Sequence, residues 1–126
     1  MIVNNGVFKE FKGAFSENFV LQQIISNRLL SLCYYSKDNS KVEIDFLVQT
    51  LTRLIPVEVK AEENVKSKSL RQFITIDHAD KNLKGLRCSM KPYIDQEWME
   101  NIPLYGIQAY INKQLHYEAA SLQPHS

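Results

Sequence analysis

Two runs of alternating apolar and polar residues stand out along the chain. In residues 42–48, Val42, Ile44, Phe46 and Val48 recur at period two, opposite Glu43, Asp45 and Leu47. In residues 55–60, Ile55, Val57 and Val59 share one face, and Glu58 and Lys60 share the other. Such alternation predicts strands over about 42–49 and 54–60, each with one buried side. Paired as a hairpin, they bring Asp45 near Glu58 and Lys60. The connecting residues 49–53 hold no Gly, Asn or Asp, so the turn type and the register stay open.

Upstream, residues 1–12 show no clear period and read as a lead-in. From Ala14 a helical stripe of Phe15, Phe19, Val20, Leu21, Ile24, Ile25, Leu29 and Leu30 predicts a helix over about 14–31. Glu17 falls with the buried face of that stripe, since Val20, Leu21 and Ile24 follow it at i+3, i+4 and i+7. The plain reading places Glu17 in the first turn, where the helix dipole favours an anion. A short strand at 33–35 and a cluster of turn formers at 36–40 then lead into the first alternating run.

After Lys60 the chain turns polar, and Leu70, Phe73, Ile74 and Asp77 sit at helical spacing, predicting a helix over 69–79 with Ser67 or Ser69 as N-cap. Residues 84–89 read as a further strand. Residues 91–99 read as irregular and aromatic-rich, and 102–106 as a short extended piece. Ile107, Tyr110, Ile111 and Leu115 predict a closing helix before a frayed tail at 122–126. The order of helix, three strands, helix and strand predicts an α/β domain with a mixed central sheet and a right-handed helical crossover to a parallel strand.

Length and composition set wider limits. A chain of 126 residues is read as one domain, with a core at about 13–106 and a C-terminal helix and tail at 107–126. A domain of this size buries roughly two thirds of its unfolded surface, so it needs no covalent staple. Hydrophobic content of 44% and charged content of 23% exclude disorder over most of the chain. The net charge of +1 neither demands nor excludes nucleic acid. Cys33 and Cys88 lie far apart in apolar contexts and read as buried thiols of a reducing compartment. With no secretory leader and no run of about 20 apolar residues, the expected location is cytoplasmic, away from membranes. His78, His116 and His125 lack metal-ligand spacing and read as surface residues, and no Ser, His and Cys combination forms a nucleophile motif.

Glu17 on the first helix, Asp45 in Glu43-Ile44-Asp45-Phe46-Leu47-Val48, and Glu58-Val59-Lys60 within Pro56-Val57-Glu58-Val59-Lys60-Ala61 resemble the spaced acids and acid-x-lysine of the PD-(D/E)XK nuclease superfamily. That resemblance implies an αβββαβ, restriction-endonuclease-like core. More narrowly, Gly13 to Val20, Ser89 to Tyr93 and Asn101 to Tyr105 are similar to the C-terminal domain of unknown function that follows the ATPase module in prokaryotic AAA-type ATPases. Together the likenesses cover about residues 13–106. The phosphate-cradling Gly-x-x-x-x-Gly-Lys-Ser/Thr loop is missing, so this chain reads as a detached C-terminal portion and not as the ATPase itself.

The resemblance implies a metal-dependent phosphodiesterase acting on nucleic acid. Asp45, Glu58 and the Val59 carbonyl would hold Mg²⁺ or Mn²⁺, with Glu17 a further or water-mediated ligand. Lys60 would orient the attacking water and offset charge in the transition state. Lys37, Lys41, Lys66, Lys68 and Arg71 would contact backbone phosphates, positioning the substrate without reading its sequence. The bland counterpart is a solvated charged face whose ion pair contributes less than about 1 kcal/mol. A second functional expectation is a non-catalytic module that binds or oligomerises an AAA-type ATPase partner, with Tyr93, Trp98 and Tyr105 as contact residues.

Overall fold

The computed structural model describes residues 5–33, 44–61 and 67–122, the backbone alone being described at 5–12 and at Cys33. Lys37, Lys41 and Lys66 lie outside the described residues. The elements run α1 (Asn5–Ile25), β1 (Ser31–Cys33), β2 (Phe46–Gln49), β3 (Leu54–Lys60), α2 (Lys68–Gln72), β4 (Gly85–Ser89), β5 (Ile94–Asp95), β6 (Met99–Pro103) and α3 (Ile107–Leu122). A π-helical turn at Phe73–Asp77 and a 3₁₀ turn at Ala79–Lys81 extend α2.

The six strands form one mixed sheet in the order β1-β2-β3-β4-β6-β5. β1, β2 and β3 are antiparallel neighbours, β3, β4 and β6 run parallel, and β5 closes antiparallel on β6. The expected meander and parallel crossover through α2 are therefore present. β6 was not expected as a strand: Met99 and Asn101 face one side and Ile102 the other, but the run is too short and its neighbours too irregular for period two to be read.

Helices cover both faces. On one side Val20 and Ile24 of α1 and Ile107, Ile111 and Leu115 of α3 pack on Phe46, Val48, Ile55, Val57, Leu86, Cys88 and Ile102. α3 is thus part of the main core and not an appendage to it. On the other side Leu70, Phe73 and Ile74 pack with Ile44 and Met99. Gly85 lets α2 approach β4 closely, because a Cβ there would lie 2.5 Å from Ile74 Cδ1 and 3.1 Å from Leu70 Cδ2.

Two elements, α1 and β2, differ in their bounds from the sequence reading. α1 begins at Asn5, not near Ala14, since Val7, Phe8, Phe11 and Phe15 already stand at helical spacing. It ends at Ile25, where the Asn27 side chain accepts the Leu29 N–H at 3.0 Å and turns the chain. β2 begins at Phe46, leaving Ile44 and Asp45 out of the expected strand, while residues 42 and 43 lie outside the described residues; the alternation breaks just before β2, where Ile44 joins the α2-side cluster while Phe46 joins the α1-side cluster. The reason is Asp45, whose Oδ2 accepts the Val59 N–H at 2.7 Å and replaces a ladder bond. Ser67 stands at the N-cap of α2, one of the two positions expected, but makes no side-chain cap bond. Its hydroxyl instead accepts a hydrogen bond from Arg87 Nη1 at 2.9 Å.

The β2–β3 turn has a specific lock. Thr50 N–H donates to the Arg53 carbonyl at 2.8 Å and the Arg53 N–H to Thr50 Oγ1 at 3.0 Å, so the hydroxyl closes a turn that holds no glycine. The Glu118 carboxylate of α3, only 2% exposed, accepts Thr50 Oγ1–H at 2.5 Å, Leu51 N–H at 2.9 Å and Gln114 Nε2–H at 2.9 Å. Burial pulls the Glu118 carboxyl up, but these bonds outweigh it and hold the acid below its ordinary range.

Candidate active site

Phe46 stands opposite Val57 in the antiparallel register, so Asp45, one residue back, comes beside Glu58 where β2 departs from β3. The second strand of the site, β3, has the bounds expected from its alternation, Leu54–Lys60. Its Glu58 points to the α2 side of the sheet and is 3% exposed. One carboxylate oxygen, Oε1, meets Lys60 Nζ at 3.4 Å, and the Lys60 side chain is 37% exposed. The other, Oε2, is buried without a hydrogen-bond partner among the described residues.

Burial raises the Glu58 carboxyl, the Ser67 hydroxyl and the Lys60 ammonium pull it down without reaching Oε2, and the Asp45 charge raises it further. Glu17 is half-buried in the middle of α1. Because the helix starts twelve residues upstream, the dipole of the first turn does not explain this acid. Burial, the Asp45 charge and a hydrogen bond from protonated Glu17 to Asp45 all raise its carboxyl. Asp45 therefore links the two other acids: it is coupled to Glu17 on one side and to Glu58 on the other. Among the described residues no three His, Cys, Asp or Glu side chains stand close enough together to hold a metal ion.

Beneath Glu58 lies a polar network that the sequence reading did not single out. Glu58 pairs in register with Arg87 of the parallel neighbour β4, and Lys60 with Ser89. Arg87 is buried, donating to Asn101 Oδ1 at 2.7 Å and to Ser67 Oγ at 2.9 Å. Desolvation lowers the Arg87 guanidinium and the Glu58 charge raises it. Ser89 Oγ donates to the same Asn101 oxygen at 2.6 Å, and Asn101 Nδ2 donates to the Pro92 carbonyl at 2.9 Å. Arg87 and Ser89 alternate with Leu86 and Cys88, and that period of two was the available signal.

Residues 12–110 match a family described as a domain of unknown function, DUF4143. The chain belongs to this family. No curated protein and no solved structure matches it. Glu17, Asp45, Glu58 and Lys60 all fall inside the DUF4143 match, whereas Glu118 falls outside it.

The other expected residues are dispersed. Lys68 and Arg71 are exposed on α2. His78 is half-buried with its ring 4.3 Å from that of Phe73, so it is a packing residue and not a free surface imidazole. His116 is exposed, and His125 lies outside the described residues. Cys88 is a fully buried free thiol, pushed up by burial; the side chain of Cys33 lies outside the described residues. Tyr93 and Tyr105 are exposed and Trp98 is half-buried against the α2-side cluster. Among the described residues no helix is long and apolar enough to cross a membrane.

Proposed function

We propose that this DUF4143 domain is a PD-(D/E)XK nuclease-like, divalent-metal-dependent phosphodiesterase acting on nucleic acid. The observation that carries the reading is Glu58 Oε2, a carboxylate oxygen buried with no hydrogen-bond partner among the described residues and flanked by Asp45 and Lys60. An orphaned buried oxygen carries a desolvation cost of about 1–3 kcal/mol or more. A hard cation is the natural partner for it.

The donor set fits Mg²⁺ or Mn²⁺. Mg²⁺ is commonly held by one or two carboxylates and keeps several waters, so it needs no closed cage. Glu58 and Asp45 supply the carboxylates. The Val59 N–H already points to the splayed edge, toward Asp45. A strand residue aims its N–H and C=O to the same side, so the Val59 carbonyl faces that edge too. Glu17, hydrogen-bonded to Asp45 when protonated, tunes the charge of that donor. When bound, the ion would act as a Lewis acid on the phosphodiester and lower the pKa of a bound water.

The chain's own groups do the rest. Lys60, anchored to Glu58 and open to solvent, holds the attacking water and balances charge developing on the phosphate. Arg87, in register with Glu58 on the adjacent strand and bonded to Asn101 one strand further on, places a fixed positive charge beside the carboxylate. Purified protein should cleave nucleic acid with Mg²⁺ or Mn²⁺ and stop with chelator. Asp45→Asn and Lys60→Ala should each lower the rate at least a hundredfold while remaining folded, a loss of about 3 kcal/mol of transition-state stabilisation. Cleavage undiminished in both variants would sink the reading.

The exposure of Tyr93 at 57% and Tyr105 at 82% favours a second reading, a nuclease-fold module that binds or oligomerises an AAA-type ATPase without catalysis. On that reading no metal supports cleavage, and Tyr105→Ala weakens association with the ATPase partner.

A further inference from the structure

Alongside α2, with one end beside the acids, runs an open groove in two parts that share Arg71 and Trp98. The first, about 280 Å³, opens between Ser67, Lys68, Arg71, Arg87 and Trp98. The second, about 650 Å³, continues past Arg71 and Trp98 to Asn82, Lys84 and Glu97. Arg71 and Trp98 line both parts and form the waist. The upper end adjoins the candidate site: Arg87 is the in-register neighbour of Glu58, and its Nη1 bonds Ser67. The waist lies lower on the sheet, since the Trp98 carbonyl accepts the Gly85 N–H at 2.8 Å. Gly85 is two residues before Arg87 on β4, about 7 Å along the strand.

The chemistry of this groove is cationic and aromatic together. Lys68 and Arg71 are exposed, Arg87 lies at the inner wall, and the Trp98 indole is half-buried at the waist. Lys84 is occupied by Asp95, at 2.7 Å, and Glu97 is the acid on the far part, so the positive charge concentrates at the end nearest Glu58. We infer that the groove is the track for a single strand of nucleic acid entering the site, with phosphates on Lys68 and Arg71 and an unpaired base stacked on Trp98. This rests on the phosphodiesterase reading and adds its substrate class. Stacking on an indole needs a base free of its partner, and a groove of this size beside one short helix suits one strand and not a duplex.

The test separates binding from cleavage. Fluorescence anisotropy with a labelled short oligothymidylate, on the full chain carrying Asp45→Asn in chelator, requires no catalysis. Lys68→Glu with Arg71→Glu should weaken binding at least tenfold and flatten the salt dependence, by about 1.4 in the slope of log K against log salt for two lost phosphate contacts. Trp98→Leu, which keeps an apolar side chain against the α2-side cluster, should weaken it about tenfold. Circular dichroism melts confirm that each variant is folded.

The inference is overturned if either set of variants binds within twofold of the parent. It is equally overturned if a duplex binds as tightly as the single strand, or if polyglutamate fails to bind less tightly than the oligonucleotide. The two readings fail separately. Tight, Trp98-dependent binding without any metal-dependent cleavage by the wild type supports the groove and removes the phosphodiesterase. Asp45-dependent cleavage that is untouched by Lys68→Glu with Arg71→Glu keeps the phosphodiesterase and removes the groove.

Discussion

Removing the Glu118 carboxylate should unlatch the hairpin that carries the candidate site. Three donors converge on this anion: Thr50 Oγ1, Leu51 N and Gln114 Nε2. Hydrogen bonds to a charged group contribute about 1.5–3 kcal/mol each, but Leu51 is exposed and its N–H regains water when the acid is lost. Glu118→Ala should therefore cost about 3 kcal/mol, equivalent to a fall of about 10 °C in Tm for a domain of this size. Glu118→Gln keeps the shape but turns an NH₂ toward one of the donors, and should cost about 1–2 kcal/mol. Urea unfolding followed by the fluorescence of Trp98, the single tryptophan, measures both through the midpoint at constant m. The pH dependence gives an independent check. The folded carboxyl lies below the ordinary 4.5, so the unfolded chain binds more protons between those two values. The wild type's advantage over Glu118→Gln is then complete above pH 4.5 and is lost as the pH falls through the folded value. A Glu118→Ala protein within 0.5 kcal/mol of wild type at neutral pH, or an advantage that persists in acid, would refute the reasoning.

Glu17 and Glu58 behave in the opposite sense, because both carboxyls are raised above 4.5. The metal-free folded state binds more protons in that window, so stability falls as pH rises from 4.5 through the folded values, and Glu17→Gln should reduce the slope of Tm against pH. Mn²⁺ should raise Tm at neutral pH and progressively less toward pH 4.5, where protons compete for the same oxygens; a shift as large in acid would place the ion elsewhere. Asp45→Ala should cost about 1–2 kcal/mol in urea unfolding by orphaning the Val59 N–H, whereas Asp45→Asn, which retains an acceptor oxygen, should cost less than about 1 kcal/mol; equal losses would show that the bond carries no weight. Gly85→Ala should destabilise by about 1–3 kcal/mol, since Ile74 and Leu70 must both give way to the new methyl; a neutral result would mean that α2 shifts freely over β4.

Much of the architecture could be read from the chain because alternation is strong where a strand is buried on one face and charged on the other. That is the case for β3, whose expected bounds agree with Leu54–Lys60. β2 was legible only in its second half, since no periodicity shows that the Asp45 side chain would claim the Val59 N–H and rotate Ile44 to the opposite cluster. The proximity of Asp45 to Glu58 followed from the hairpin, whereas the stripe showed only that Glu17 falls on the buried face: the helix was entered nine residues too late to judge the dipole correctly, and the link to Asp45 was an expectation of the family resemblance. The Arg87, Asn101 and Ser67 network stayed hidden for a different reason. Its members come from three separate elements, and Asn101 belongs to a strand without a readable period.

The two faces of the sheet are unequally insulated. One is covered by helices of 21 and 16 residues, the other by a five-residue helix that passes at once into a π turn. Backbone amides on the thin side are protected by few apolar neighbours, so they belong to the low free-energy end of the opening spectrum. Native-state hydrogen exchange should thus resolve two kinetic classes, with the amides of Leu70 to Ile74 exchanging through a sub-global excursion and those of α1 and α3 only on complete unfolding. The wall that carries Lys68 and Arg71 would then breathe while the strands beneath it keep Asp45 and Glu58 in register.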